Sequence, residues 1–206
     1  MNITVVGGNS GTGAQVVRLA AEAGHAVTCL SRRGGGTSSS QVRDVIGDAT
    51  DAAVVRSAVE GADAVVVTVG GSAGADRNRA VVTRSVIAAM HAAGVRRLIV
   101  HSSLGVGDSM SLMPAPVRVL ARTMLGKALA DHAEQEAAVE ASGLDWTIVR
   151  PGGLTDDPDT GSYVAQATSE GRPMKNRISR ADVAVHILKV LEDPTSYGQA
   201  LAMGTL

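Results

Sequence analysis

The residues with the clearest chemical potential stand near the start of the chain, in Val5-Val6-Gly7-Gly8-Asn9-Ser10-Gly11-Thr12-Gly13. A β-branched apolar run leads into this segment and a helical pattern over residues 12–23 leads out of it. The glycines therefore fall on a strand-to-helix turn. Gly7 permits a tight turn, Gly11 lets backbone approach a pyrophosphate, and Gly13 allows the helix to pack closely on the strand. Asn9, Ser10 and Thr12 place polar groups on the same turn. The start of the helix presents unpaired N–H groups and a positive dipole end to phosphate oxygens. In a chain with 24 glycines, spacing alone carries little weight, and it is the place between strand and helix that makes this a phosphate turn.

A second group follows the next apolar run, at Leu30-Ser31-Arg32-Arg33. A site for NAD usually carries Asp or Glu here, accepting hydrogen bonds from the adenine ribose. Arg32 and Arg33 suit a 2′-phosphate instead, so the expected cofactor is NADP(H) in preference to NAD(H). The plainer reading is two solvated arginines beside a loop. Further along, Ser102 and Ser103 end the apolar run 96–103, outside any Gly-x-Ser-x-Gly frame, so they form no hydrolase elbow. Ser103 is the better candidate to hydrogen-bond a substrate carbonyl, and Ser102 is expected to satisfy backbone groups. His25, His91, His101 and His186 lack metal-like spacing; no metal site is expected, and each reads as structural or exposed. Cys29, the one cysteine, sits in an apolar run and reads as a buried small side chain.

The elements that must position these groups alternate along the chain. Residues 3–6, 26–30, 62–69, 96–103 and 145–150 read as strands, with weaker ones at 42–46 and near 200–203. Helices are expected over 12–23, 51–60, 77–93, 118–142 and from Ser179 onward, where Ser179-Arg180-Ala181-Asp182 resembles a capping box. This alternation predicts an α/β fold: a doubly wound parallel sheet of Rossmann type in three α/β/α layers, one domain over residues 1–206. Residues 34–40 read as a flexible loop. Residues 104–117 and 151–178 lack periodicity and follow the carboxyl ends of strands, so both are expected to wall a substrate pocket.

Bulk properties narrow the partners. The chain has 206 residues, 45% hydrophobic and 19% charged, with a formal net charge of −1 and no run of basic residues. Binding to nucleic acid or to a membrane surface is not expected, and a small-molecule substrate is. A monomer or small homo-oligomer is expected. The opening Met-Asn-Ile-Thr-Val-Val has no charged leader, and no apolar stretch reaches membrane-spanning length, so the cytoplasm is the default. With one Trp, two Tyr and no Phe, few rings are available to stack on a flat ligand.

Taken together these segments resemble the atypical short-chain dehydrogenase/reductases, in the compact NAD(P)H-binding group near NmrA-like proteins and biliverdin/flavin reductases. The resemblance runs through the glycine turn, Gly47-Asp48-Ala49-Thr50-Asp51, Val67-Thr68-Val69-Gly70-Gly71, His101-Ser102-Ser103-Leu104-Gly105, Ser142–Gly152 and Ile178–Ala184. It implies that Asp48 and Ala49 lie against the adenine, and that Thr68, Val69 and Gly70 line the path past ribose and pyrophosphate. It also implies that Ser102, Ser103 and the turn Pro151-Gly152-Gly153-Leu154 border the nicotinamide.

Two departures matter. Ser10 occupies the middle glycine position of the compact group, giving the Gly-x-x-x-Gly-x-Gly spacing of the larger short-chain family. The Tyr-x-x-x-Lys pair that supplies the acid in most short-chain dehydrogenases is missing, since Tyr163 and Tyr197 come too late. If Glu136 marks the carboxylate that usually follows that lysine, His132 replaces the lysine and Ala128 the tyrosine, all on one helical face. His132 is then a candidate to reach the ribose or donate a proton, against the alternative of an exposed histidine on a polar helix. Reducing an isolated ketone needs a poised acid, whereas a conjugated acceptor spreads the charge and takes its proton from solvent. The leading expectation is an NADPH-dependent reductase of a quinone, flavin or similar acceptor. An NADP(H)-binding sensor without turnover and a sugar-nucleotide epimerase or dehydratase are the alternatives.

Overall fold

The computed structural model describes residues 1–34, 39–70, 79–113, 115–167, 171 and 174–205. Its strands, in chain order, are β1 (Asn2–Val6), β2 (Ala26–Ser31), β3 (Val42–Ile46), β4 (Ala64–Val67), β5 (Arg97–His101), β6 (Asp145–Pro151), β7 (Leu154–Thr155), β8 (Val164–Ala167), β9 (Ile178–Ser179) and β10 (Gln199–Gly204). Eight of them form one sheet in the order β3-β2-β1-β4-β5-β6-β10-β8. Every neighbour pair is parallel except β10 with the edge strand β8. β7 and β9 pair separately as a short parallel ribbon.

The central strands are apolar on both faces because helices cover both. β4 is buried at each of its four residues, and β1 at all but Asn2. On one face α1 (Gly11–Glu22) packs against α6 (Arg180–Leu191), closing a core of Val16, Val17, Ala20, Val183, Ile187 and Leu191 over Ile3, Val5 and Ile99. On the other, α2 (Ala52–Val59), α3 (Arg79–Ala93) and α5 (Gly126–Glu140) bury Val55, Val59, Val86, Met90 and Val139 against Val6, Val65 and Val100. This is the three-layer α/β/α Rossmann arrangement. The strand order reverses between β1 and β4, where open sheets of this kind leave a crevice at the carboxyl ends.

The helix starts are chemically explicit. Asp51 caps α2 by accepting from the N–H groups of Ala53 and Val54. Ser179 caps α6 by accepting from the N–H of Asp182. The capping-box expectation holds in half: the Asp182 carboxylate does not return to the Ser179 backbone. It accepts from the Ser179 hydroxyl and from the N–H groups of Thr160 and Gly161, which pins the chain before β8 onto α6.

Two expectations need correction. The single helix over 118–142 is two helices, α4 (Ala115–Met124) and α5, interrupted at Leu125. Gly126 follows the break; its backbone freedom makes it a poor interior residue, while the apolar periodicity runs on through it. The segment 151–178 is not without regular structure, since it holds β7, β8 and β9. β8 is half-buried at every residue, so it offers no alternation to read. Of the expected loop at 34–40, residues 35–38 lie outside the described residues, as do Gly71, Pro114 and Pro173.

Candidate functional site

Parallel pairing brings the singled-out residues to one edge of the sheet. Residues 7–13 follow β1, Arg32 and Arg33 follow β2, Asp48 and Ala49 follow β3, and Thr68 to Gly70 follow β4. Ser102 and Ser103 follow β5, and Pro151 to Leu154 follow the body of β6. The turn after β1 is built for close approach. Gly7 has φ +86°, a conformation that favours glycine, and its N–H donates to the Leu30 carbonyl at 2.8 Å. A Cβ at Gly13 would fall inside contact distance of the Gly7 carbonyl oxygen and of Thr68 Oγ1, and 3.0 Å from the Gly7 carbonyl carbon. Gly13 thus lets α1 sit directly on the turn and on β4, with its N-terminus at the sheet edge.

The polar side chains of the turn divide into engaged and open. Asn9 Nδ2 donates to the Arg33 carbonyl at 2.7 Å, tying the turn to the end of β2. Ser10 is the exposed N-cap of α1 and makes no capping bond with its side chain. Thr68 Oγ1 donates to the Val6 carbonyl, and Val69 and Gly70 continue along the edge. Arg32 and Arg33 are exposed, with the Arg33 carbonyl also accepting from the Ser31 hydroxyl. Asp48 Oδ1 accepts from both the N–H and the hydroxyl of Thr50; these bonds, with Arg32 a weaker contributor, hold its pKa below the usual carboxylate value. Ala49 is half-buried beside it.

The two serines after β5 behave differently. Ser103 is partly buried, and among the described residues its hydroxyl reaches only the Leu104 carbonyl, at 3.2 Å. Ser102 is 1% exposed and donates to Glu136 Oε1 at 2.5 Å. Its expected role of satisfying backbone is therefore corrected, because its partner is a buried carboxylate. That carboxylate also takes Arg150 Nε at 3.0 Å and Nη2 at 2.6 Å, and Arg150 Nη1 reaches Asp108 Oδ1 at 2.7 Å. Burial pulls the Arg150 guanidinium down, and the two carboxylates more than offset it, leaving its pKa above the ordinary value. The expected face of Ala128, His132 and Glu136 on α5 exists, and His132 on it is buried rather than exposed. His132 Nδ1 donates to Gln135 Oε1 at 3.1 Å, and Gln135 Nε2 donates to Thr83 Oγ1 at 3.0 Å.

His101, expected to be structural or exposed, stands at this edge with its Nε2 3.5 Å from Thr12 Oγ1 on α1. Burial, followed by the positive charge of His132, Arg79 and Arg180, pushes its pKa down to about 4. Arg79 pairs with Asp131 at 3.0 Å, and its Nε is buried with no hydrogen-bond partner among the described residues. Arg180 pairs with Asp156 at 2.7 Å and lies over Gly11, with its Nε 3.6 Å from where a Cβ on that glycine would stand. Asn176 holds the Pro151–Leu154 turn, its Oδ1 accepting from the Gly153 N–H at 2.8 Å. Both tyrosines are committed elsewhere. Tyr163 meets His186 edge-on at 5.6 Å, and the Tyr197 ring lies 4.4 Å from Arg97 Cζ.

Sequence reasoning missed Arg150, Asp108, Arg79 and Arg180. One signal was present: an arginine inside the apolar run Thr147-Ile148-Val149-Arg150 needs a buried counter-charge. The cofactor side fits a dinucleotide on two grounds. Gly13 leaves no room for a Cβ between α1 and the turn, so the helix N-terminus is held at the sheet edge, and among the described residues the Arg79 Nε is left without a partner near His101 and Arg180.

This construction is that of a nucleotide-binding Rossmann protein. The profile of a family described as NAD(P)H-binding matches residues 7–194, and the chain belongs to that family. A protein of Bacillus subtilis (strain 168) named an uncharacterized sugar epimerase, YhfK, is 32% identical over 151 residues, covering 71% of this chain. The match covers 64% of that protein, and 51% of a second relative from Schizosaccharomyces pombe. Among solved structures, ChuY of Escherichia coli O157:H7, described as an anaerobillin reductase, is 29% identical with a TM-score of 0.84. That match covers 99% of this chain and 97% of ChuY. A wide-type short-chain dehydrogenase/reductase of Veillonella parvula, solved with NADP, shares the fold at a TM-score of 0.83 and 19% identity, covering 98% of this chain and 94% of that one. Among the described residues no helix is long and apolar enough to cross a membrane.

Proposed function

We propose that this protein is an NADPH-dependent reductase of a conjugated acceptor such as a quinone, a flavin or a linear tetrapyrrole. The observation that carries the reading is a contrast within one site. The phosphate turn is complete, while the side chains that would serve as a ketone reductase's acid are absent or engaged. Position 128 is alanine, His132 Nδ1 is bonded to Gln135, Ser102 is bonded to Glu136, and both tyrosines face other partners. A conjugated acceptor delocalises the incoming charge and tolerates a proton from water, so holding two flat rings together supplies most of the catalysis.

In this reading Gly7, Gly11, Gly13 and the N–H groups at the start of α1 hold the pyrophosphate, with Asn9, Ser10 and Thr12 around it. Arg32 and Arg33 receive the 2′-phosphate, Asp48 and Ala49 flank the adenine, and Thr68, Val69 and Gly70 line the path between. The cofactor supplies a hydride from its nicotinamide. Pro151, Gly152, Gly153 and Leu154, pinned by Asn176, border that ring. Ser103, whose hydroxyl has only a long contact to its neighbour's carbonyl, orients an acceptor oxygen. His132 steadies the ribose side. Segments 104–117 and 151–178 wall the acceptor pocket.

The relatives pull in two directions. ChuY's description as a reductase supports reduction, and YhfK's name suggests epimerisation. Epimerases of this fold need a base of the tyrosine type, which the occupied tyrosines do not provide here. Titration with NADPH, followed by a panel of quinones, flavins and linear tetrapyrroles monitored by loss of absorbance at roughly 340 nm, tests the proposal. Reduction of at least one acceptor class is expected. Tight NADPH binding with no acceptor reduced would replace this reading with that of an NADP(H) sensor.

A further inference from the structure

Beyond Ser103 the chain forms a 3-10 turn, Gly107–Leu112, and then enters α4. Gly107, Asp108, Met110 and Ser111 from the turn, with Arg118 from the first turns of α4, line a groove of about 500 Å³. The groove is held from beneath. Arg150, 5% exposed, reaches up from β6 to Asp108 while its other two bonds are locked on Glu136. The turn is therefore braced against a buried ion pair.

The brace also decides the sign of the groove. Among the described residues Asp108 is the acid in its lining, and Arg150 pairs with that carboxylate at 2.7 Å. Arg118 is half-buried in the same lining and has no hydrogen bond or ion pair among the described residues. A planar guanidinium with no counter-charge among the described residues is matched by a carboxylate or phosphate, which takes two parallel hydrogen bonds from it. Met110, packed on the small apolar cluster of Leu104, Leu112 and Met113, gives the same groove a pliable apolar wall. The groove follows β5, on the acceptor side of the edge, and stands on different elements from the phosphate turn between β1 and α1.

We infer that this groove is an outer subsite for the acceptor and selects one that carries an anionic group, carboxylate or phosphate, on a chain extending from its conjugated ring. Arg118 is the counter-charge and Met110 contacts the chain. This inference rests on the reductase reading for its acceptor, but binding can test it without turnover.

The probes are matched pairs that differ in charge at the tail: FMN against riboflavin, and a naphthoquinone with an alkyl carboxylate against its methyl ester. Affinity for each is measured by fluorescence or calorimetry on protein saturated with NADP⁺, where no hydride is available, and KM is measured separately with NADPH. The anionic member of at least one pair should bind about tenfold more tightly than its neutral twin, in line with one charge-assisted contact. Arg118→Ala should level the pair, Arg118→Lys should keep part of the preference, and the affinity for NADPH should stay at its starting value. Three results would each overturn the inference: no preference in the unmodified protein, a preference that survives Arg118→Ala, or a loss shared by NADPH or by the neutral twins. If the preference is present on NADP⁺-loaded protein but nothing is reduced, the reductase reading fails and the subsite stands. If acceptors are reduced without regard to charge, the reverse holds.

Discussion

Removing one partner of the Glu136–Arg150 pair provides a severe test of how the site is supported. The Glu136 and Arg150 side chains are 4% and 6% exposed, and three hydrogen bonds converge on the Glu136 carboxylate, from Ser102 Oγ, Arg150 Nε and Arg150 Nη2. Glu136→Leu deletes all three and leaves a guanidinium stranded inside the domain. Asp108 still reaches Nη1, but its side chain is 58% exposed and it satisfies only one edge of the fork. Breaking a buried pair in this way costs about 3–5 kcal/mol, a large part of a typical total of roughly 5–15 kcal/mol. At a urea slope of about 2 kcal/mol per M, the midpoint should fall by roughly 1.5–2.5 M. The double variant Glu136→Leu/Arg150→Met fills the same volume with apolar groups and should recover most of that loss. Urea unfolding followed by far-UV circular dichroism reads both. A single variant that loses less than about 1 kcal/mol, or a double variant less stable than the single, would refute the claim that an uncompensated charge is the cause.

Gly13→Val should bind NADPH at least tenfold more weakly and lose about 1–3 kcal/mol of stability, because its side chain collides with the Gly7 carbonyl and Thr68. A stable variant with unchanged affinity by calorimetry would mean the phosphate site lies elsewhere. Arg32→Ala should weaken NADPH by about ten- to a hundredfold and leave NADH almost unchanged, the worth of one charge-assisted bond to a 2′-phosphate; equal losses would rule out that contact. Stability should also fall in acid through His186, which is 7% exposed and whose pKa is held down to about 4 by burial, with the charge of Lys189 a smaller cause. Its folded value lies below the unfolded one, so its contribution is full above about pH 6.5 and declines toward pH 4, by about 2 kcal/mol between pH 7 and 5. His186→Gln should flatten that slope, and a variant with the full slope would assign the acid sensitivity to other groups such as His101.

What was legible in the sequence is what is encoded locally. The turn at Gly7 to Gly13 could be read because its glycines, strand and helix lie within a few residues of one another, and the positive φ at Gly7 and the crowding at Gly13 follow from that spacing. The central strands could be read because burial on both faces demands unbroken apolar runs, as in Ala64–Val67. The edge was harder. β8 is half-buried throughout, and its pairing with β10 joins residues 164–167 to 201–204, which no local pattern records. The break at Leu125 was hidden because apolar spacing continues across it, and only Gly126 marks the place. His132 was placed on the correct face of its helix, but whether that face met solvent or Gln135 and Thr83 depended on α3, some fifty residues earlier.

The same distinction separates the two halves of the candidate site. The cofactor half is made mostly of backbone: a glycine turn, a helix start and carbonyls at strand ends, all fixed once the sheet forms. The half proposed for the acceptor is made of side chains that meet across long separations, with Glu136 joined to Ser102 34 residues away and Arg150 joined to Asp108 42 residues away. Backbone geometry of this kind serves any dinucleotide, and that is why the chain announces its cofactor so early. Side-chain contacts of the second kind can be exchanged without disturbing the sheet, so they are where substrate choice is free to vary. The charge on Arg118 and the brace under Asp108 belong to that second half. On the proposed reading they, rather than the glycine turn, are the residues on which the identity of the acceptor depends.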